Sequence, residues 1–384
     1  MTNRRSFLTT GLSGLTLSLL GGTASFAQTA PANGKFVLVI LRGAMDGLSA
    51  IVPYADPAYR SLRGVIALDA PGGPNGTLPL TEGFGLHPAL TNLHALWRAK
   101  QMSFMHAAAS PYRDRSHFDG QDMLETGVVR MTSADTGWLN RAIALLPSGA
   151  SKEGIGIGRT LPLVLKGSAK TGTWAPALAE ASSTDTLNRL MDLYAGDQIL
   201  GPALAMAIET DKIAAGSSMT AGGATRGGGS FTPLARAAAR ILGAPNGPAA
   251  AVLSFDGWDT HAGQGGARGQ IANRFAQLDG AIGALQSDLG SIWENTTLVI
   301  ATEFGRTARV NGTGGTDHGT GGAAFIAGGA VRGGVMLGDW PGLSRLYQDR
   351  DLIPANDVRT LFTMGLSNAW QLDASRIKSD VFSA

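Results

Sequence analysis

The residues best equipped for chemistry crowd into one stretch, 296–319. A β-branched apolar run, Thr296 to Ala301, is of the kind that forms a strand buried on both faces. Thr302, Glu303 and Arg306 begin where that run stops. A Gly-rich loop then delivers Asp317 and His318 ahead of a second apolar run, Ala323 to Ala327. Two acids, a histidine and an arginine at a strand end suit a metal ion or an anion, because parallel α/β sheets bind ligands in the crevice beyond their carboxyl edge. Three other strand ends are also polar: Asp46, the 110–117 loop, and Asp256 to His261. His261 and His318 both follow buried strands in glycine-bearing loops. One ion can therefore take both imidazoles with a carboxylate from Asp256 or Asp259, while Asp317 fixes a ring tautomer. Oxygen and imidazole donors favour zinc; acid-rich pockets also admit magnesium, calcium or manganese.

Each candidate has an ordinary structural alternative. Asp46 can be the Asp-Gly of a tight turn, Ser116 a helix cap, and Glu303 with Arg306 an internal ion pair. His117 can pack a helix. His87 opens a helix before Pro88, and His94 and His106 read as structural. Trp138 and Trp258 read as core or pocket wall.

The elements that must carry these residues alternate between strand and helix. Strands are predicted at 35–41, 102–107, 161–165, 249–255, 296–301 and 323–327. Helices are predicted from His87-Pro88 to Lys100, over 112–126 (closed by Gly127), 138–146, 182–213 (broken near Gly201-Pro202), onward from residue 230 to Leu242, 268–294 and 356–365. Residues 53–85 read as a Gly/Pro-rich surface excursion, and 215–230 as a Gly-rich mobile loop or linker. The alternation implies an α/β fold with a mainly parallel sheet.

Composition narrows the function. Charge is sparse at 16% and the 31 basic side chains nearly balance the 29 acidic ones. No basic run forms a phosphate track, so nucleic acid is not an expected partner. Cysteine is absent, which excludes disulfides, thiolate metal sites and cysteine nucleophiles. Residues 1–27 read as a twin-arginine (Tat) signal peptide: Arg4-Arg5, a short apolar run Thr9–Leu20, and small residues at Ser25 and Ala27. The apolar run is too short to anchor the chain stably in a membrane. Expected localisation is the periplasm or the exterior, with the Tat translocase as partner during export.

Several spaced motifs resemble the exported bacterial family called domain of unknown function 1501. They are Arg42-Gly-x-x-Asp46-Gly, Arg115-Ser116-His117-Phe118, Gly137-Trp-Leu-Asn-Arg141, Phe255-Asp-Gly-Trp-Asp-Thr-His261, Thr302-Glu-Phe-Gly-Arg306 and Gly315-Thr-Asp-His-Gly319. That family is similar in fold to the alkaline phosphatase and sulfatase superfamily, hydrolases of phosphate and sulfate esters. The resemblance implies a single alkaline phosphatase-like three-layer α/β sandwich over 28–384. It implies Asp46, Asp256, Asp259, His261, Glu303, Asp317 and His318 as candidate metal ligands, with Glu303-Phe304 where the superfamily usually has Asp-His. Ser116 is implied as nucleophile by its place in a segment resembling the sulfatase nucleophile helix, with His117 beside it. Its setting, a helix start flanked by Arg113 and Arg115, suits an anion. Arg306, Arg115 or Arg42 would hold a small sulfated or phosphorylated substrate. The alternative is a non-catalytic exported binding or assembly protein that keeps the fold.

Export through the twin-arginine route predicts that changing Arg4 and Arg5 together to Lys traps precursor in the cytoplasm. Cell fractionation with immunoblotting checks this, and undiminished periplasmic mature protein would remove the localisation argument.

Overall fold

The structure, a computed structural model, describes residues 34–130, 135–148, 150–151, 153–176, 190–191, 193–194, 197, 200–215 and 231–382. Residues 1–27, read from the sequence as a signal peptide, residues 182–189 and nearly all of the stretch 215–230 lie outside them. In chain order the strands are β1 (Lys35–Arg42), β2 (Ile51–Val52), β3 (Leu78–Pro79), β4 (Gly85–Leu86), β5 (Met102–Ala109), β6 (Glu153–Ile157), β7 (Lys170–Trp174), β8 (Ala250–Asp256), β9 (Thr296–Ala301), β10 (Gly322–Ala327), β11 (Met336–Leu337) and β12 (Asn356–Asp357).

A nine-stranded sheet runs β11-β5-β10-β9-β1-β8-β6-β7, with β12 also on β5; β2, β4 and β3 form a small separate sheet. β1 lies at the centre, parallel to β8 on one side and β9 on the other. Its apolar run explains that position, because a strand covered on both faces needs apolar side chains at every position. Val37, Val39 and Leu41 point into one core with Leu93, Leu96, Ile241, Phe275 and Leu285. Phe36, Leu38 and Ile40 point into the other with Trp138, Ile143, Phe362, Leu366 and Ile377. Period-two alternation thus sends successive residues into opposite cores, and helices cover both faces in a three-layer α/β sandwich. Helices Thr91–Arg98, Thr232–Gly243 and Gln270–Leu289 serve the first core; Trp138–Ala144, Val358–Trp370 and Ala374–Asp380 serve the second. Among the described residues no helix is long and apolar enough to cross a membrane.

Several expectations need correction. Leu161–Leu165 is not a strand: Leu163–Leu165 forms a 3-10 turn after Pro162, whose missing N–H cannot join a ladder. Two unanticipated strands, β6 and β7, flank it; Gly-Ile-Gly-Ile and Lys-Thr-Gly-Thr-Trp carry too few large apolar residues to show as buried runs. The helix expected from Tyr112 starts only at His117, because Arg115 takes a left-handed φ of 63° that no helix propagates. Stretch 53–85 holds a short helix, Tyr59–Arg63, besides β3. β10 runs antiparallel to both neighbours.

Two histidines are sealed into the fold. His87 Nε2 contacts the Gly266 carbonyl at 3.1 Å while its Nδ1 accepts from Ala89 N–H. His106 Nε2 contacts the Ile51 carbonyl at 2.9 Å and its Nδ1 accepts from Ala107 N–H. Both partner sets demand a neutral ring with hydrogen on Nε2, since a second proton on Nδ1 would face a donor. Burial lowers each pKa from 6.5 to about 4. The unfolded chain therefore binds more protons between those values, and stability falls as pH drops through that window. Each ring should account for about 3 kcal/mol by its lower limit. Denaturant midpoints measured across the window should fall more steeply in the wild type than in a His87→Gln/His106→Gln variant. Equal slopes would show that these rings do not govern acid stability.

Candidate metal centre

Three backbone segments converge at the carboxyl edge of β1, β8 and β9. After β9 the chain folds back on itself as a tight pairing. Gly305 N–H donates to Thr320 O at 2.9 Å, Gly319 N–H to Gly305 O at 2.8 Å, and Thr307 N–H to Asp317 O at 2.9 Å. This sets Arg306 opposite His318. The loop after β8 is stitched to the same hairpin, through Gly263 N–H to Thr313 O and Gln264 N–H to Gly314 O, both 2.9 Å. The Gly content of 305–321 follows from this closeness. A Cβ on Gly305 would strike the Gly321 carbonyl, and one on Gly315 would strike the backbone of His261. The third segment is helix His117–Thr126, closed by Gly127 in the left-handed region. Its Gly120 lies against Phe304, so close that a Cβ would come within 2.9 Å of the ring. That approach lets His117 stack on Phe304, centroids 5.0 Å apart at 27°.

The hydrogen bonds of the three imidazoles fix which nitrogen of each is free. His117 Nδ1 is 2.7 Å from Glu303 Oε1, His261 Nδ1 is 3.0 Å from Asp317 Oδ1, and His318 Nδ1 is 3.0 Å from the Arg115 carbonyl. All three partners are pure acceptors, so each Nδ1 carries the hydrogen and each neutral ring presents a lone pair at Nε2. Those Nε2 atoms meet. His318 Nε2 lies 2.9 Å from His117 Nε2 and 3.1 Å from His261 Nε2. Asp259 Oδ1 is 2.9 Å from His261 Nε2 and 3.2 Å from His318 Nε2, with Oδ2 3.5 Å from His117 Nε2. Lone pairs and a carboxylate at such separations repel unless a cation or proton lies among them.

Electrostatics agree. His117 is raised above its ordinary value, chiefly by its hydrogen bond to Glu303. His318 is lowered, by burial and then by the charge of His117. Burial pushes the Asp259 carboxyl up, but the hydrogen bond and charge of Arg306 outweigh this and keep it ionised, below the usual range. Glu303, fully buried, is likewise pushed up by burial and brought down further by His117, the Gly43 N–H and Thr302. His117, Asp259 and His318 form a group whose ligand atoms all lie within 4.8 Å of one another, and His261 joins on the Asp259–His318 side. Nitrogen-rich donors with one carboxylate, each ring backed by an acceptor, fit zinc. Tetrahedral bonds of about 2.0–2.1 Å put donors about 3.3 Å apart, near the separations found.

The expected site residues divide into two groups. Asp259, His261 and His318 stand together, joined by His117, which the sequence reading set beside the nucleophile rather than among the donors. Glu303 and Asp317 lie behind His117 and His261. Asp46 is elsewhere: it caps the helix Gly47–Ala50, ion-pairs with buried Arg63 and accepts from Gln264 at 2.6 Å. Breaking such a buried pair costs about 3–5 kcal/mol. Asp256 ends β8 in register with Arg42, exposed and outside the donor group. Glu303 and Arg306 take different partners, for Arg306 is buried and pairs with Asp259 and the Thr316 carbonyl. Arg115 pairs with Asp351 at 2.7 Å and Arg42 with Glu125 at 2.6 Å. Ser116 stands at the N-cap position of its helix without a capping side-chain bond. Arg63, at the end of the short helix Tyr59–Arg63, and the loop residues Gln264 and Asp351 escaped sequence reading; single polar residues outside a motif carry no local signal.

The model of a family described as "Protein of unknown function (DUF1501)" matches residues 95–369. No curated protein matches the sequence. Solved structures to which the chain is similar include the following three. Ps i-CgsB in complex with k-i-k-neocarrahexaose shares 11% identity at a TM-score of 0.39, over 79% of this chain and 68% of that one. The C-terminal periplasmic domain of EcEptC from Escherichia coli, in complex with Zn, shares 10% at 0.33, over 77% and 72%. The phosphonate monoester hydrolase of Agrobacterium radiobacter shares 14% at 0.34, over 79% and 68%.

If the imidazoles share one ion, His318→Ala should abolish tight zinc binding, and His117→Ala/His318→Ala should be scarcely worse, since one lost donor already disables the site. Glu303→Gln should weaken binding about tenfold to a hundredfold by loosening the His117 ring. Equilibrium dialysis against zinc checks both, and a wild-type protein indifferent to every divalent ion would refute the shared centre.

Proposed function

Because the chain belongs to the family described as Protein of unknown function (DUF1501), and because its imidazoles converge as they do, we propose that it is an exported metal-dependent hydrolase of phosphate or sulfate esters. The observation that carries this reading is the meeting of three Nε2 atoms with the Asp259 carboxylate at one point. His117, Asp259, His261 and His318 would hold the ion, zinc by its donor set, with Glu303 and Asp317 orienting two of the rings. When bound, the ion would polarise the ester oxygen. Arg306 keeps Asp259 ionised and aimed at the cluster. Ser116, next to His117 in the chain, would supply the attacking hydroxyl. The first-turn N–H groups of its helix, uncapped by the Ser116 side chain, favour the anionic group. The motif likeness to the alkaline phosphatase and sulfatase superfamily supports the ester class, and the 1–27 segment supports Tat export to the periplasm or beyond.

A second reading is favoured by one specific observation. The three arginines expected to grip the anion, Arg42, Arg115 and Arg306, are already paired with Glu125, Asp351 and Asp259. A non-catalytic exported binding or assembly protein that keeps the fold would need no such grip.

Metal analysis of protein purified from the periplasm, followed by a phosphatase, phosphodiesterase and sulfatase screen, separates the two. Ester hydrolysis that Ser116→Ala abolishes, with fold and metal content intact, is the expected result. Full activity in that variant would remove Ser116 as nucleophile. Metal-loaded protein inactive on every ester would leave the second reading, and metal-free protein would end the hydrolase reading and leave the second in the lead.

A further inference from the structure

Asp351 lies in a segment to which neither the motifs nor the donor group draws attention, yet its side chain is fully buried. Its Oδ2 accepts from Arg115 Nε at 2.9 Å and from Arg115 Nη2 at 2.7 Å, and the same guanidinium donates to Gln348 at 2.6 Å. Arg115 has a φ of 63°, a left-handed conformation that side-chain-bearing residues rarely keep unless their surroundings enforce it. Two consequences follow for the imidazoles. The turn aims the Arg115 carbonyl at His318 Nδ1, 3.0 Å away. It also delivers Ser116 in extended conformation, φ −84° and ψ 129°, from which the helix bearing His117 begins. The segment around Asp351 reaches His318 a second way, because Arg350 Nη2 donates to the His318 carbonyl at 2.6 Å. Asp351 is itself held by backbone bridges to Thr307 and Tyr347.

We propose that Asp351 is a positioning residue for the metal centre: by fixing the left-handed turn at Arg115, it holds His318 as the Nδ1–H tautomer with the Nε2 lone pair presented. The consequence for metal affinity rests on the reading given under Proposed function; the tautomer is a property of the chain alone. A free imidazole exchanges between its two tautomers, and the hydrogen bond made by one nitrogen decides which the ring keeps. Releasing the Arg115 carbonyl would let hydrogen settle on Nε2 in part of the molecules, and that form cannot ligate.

The test uses nitrogen-15 NMR of the neutral His318 ring in metal-free full-length protein, beside zinc titration of the same samples. The wild type should show one Nδ1–H tautomer. Asp351→Asn and Arg115→Ala should each show a mixture and a tenfold to hundredfold loss of zinc affinity. The double variant should be no worse than either, because both act through one linkage. Asp288→Asn, which breaks an exposed pair with Arg236, should change neither readout. A merely structural role would lower thermal stability and leave the tautomer single. A folded Asp351→Asn protein with one Nδ1–H tautomer and wild-type affinity would overturn the proposal; should that variant fail to fold, the same result in Arg115→Ala overturns it. If the tautomer changes as expected in proteins that bind no zinc at all, the positioning role stands and the metal reading falls.

Discussion

The constraint on which the rest of the structure depends is a repulsion. Three imidazole nitrogens with outward lone pairs and one ionised carboxylate are held within hydrogen-bonding distance of a common point. Such an arrangement is unfavourable without positive charge at its centre. The protein nevertheless enforces it by giving every Nδ1 an acceptor it cannot exchange for a donor. Glu303 is buried, Asp317 is fixed by Asn311 at 3.1 Å, and the third acceptor is a backbone carbonyl. Fixed acceptors of this kind make neutral imidazoles good donors toward a cation.

Holding that geometry requires backbone segments to approach more closely than side chains normally allow. The glycines at 305, 315 and 319 permit it, each lying where a Cβ would collide with another segment's backbone. Phe304 takes part as a surface rather than a donor. It packs against Gly120, stacks on His117 and sits 5.5 Å from His318. A ring with no hydrogen-bonding group can orient two imidazoles without competing for their nitrogens.

Behind the centre a buried polar chain links it to the middle of the sheet. Arg306 Nε donates to Thr316, Thr316 to Gln264 at 2.7 Å, and Gln264 to Asp46 at 2.6 Å, where Arg63 neutralises the carboxylate. The four links satisfy one another, as buried polar groups require, although the buried Arg63 Nε has no partner among the described residues. Asp46 therefore anchors this chain. The charge that satisfies it is a guanidinium of the protein itself, which explains its distance from the role its motif suggested.

Much of the fold was legible from one dimension. The apolar runs at β1, β5, β8, β9 and β10 named themselves, because a strand covered on both faces can carry little but apolar side chains. Gly127 closed its helix as expected, since only a residue free to adopt positive φ ends a helix so cheaply. The strands β6 and β7, rich in Gly and Thr, gave no such run and were invisible. Within the candidate centre, His261 and His318 were legible because histidines in Gly-flanked strand-end loops invite a shared ion, whereas the sequence left the carboxylate open between Asp256 and Asp259. The sequence by itself thus determined the α/β layering, the carboxyl edge on which the candidate centre sits, and the pairing of His261 with His318. Only the tertiary structure decided that Asp259 rather than Asp256 meets them, that His117 joins, that Glu303 stands behind a ring, and that Asp46 faces Arg63. Those outcomes depend on how a helix docks on Phe304 and how loops distant in the chain meet, and side-chain direction across such contacts has no signature in local spacing.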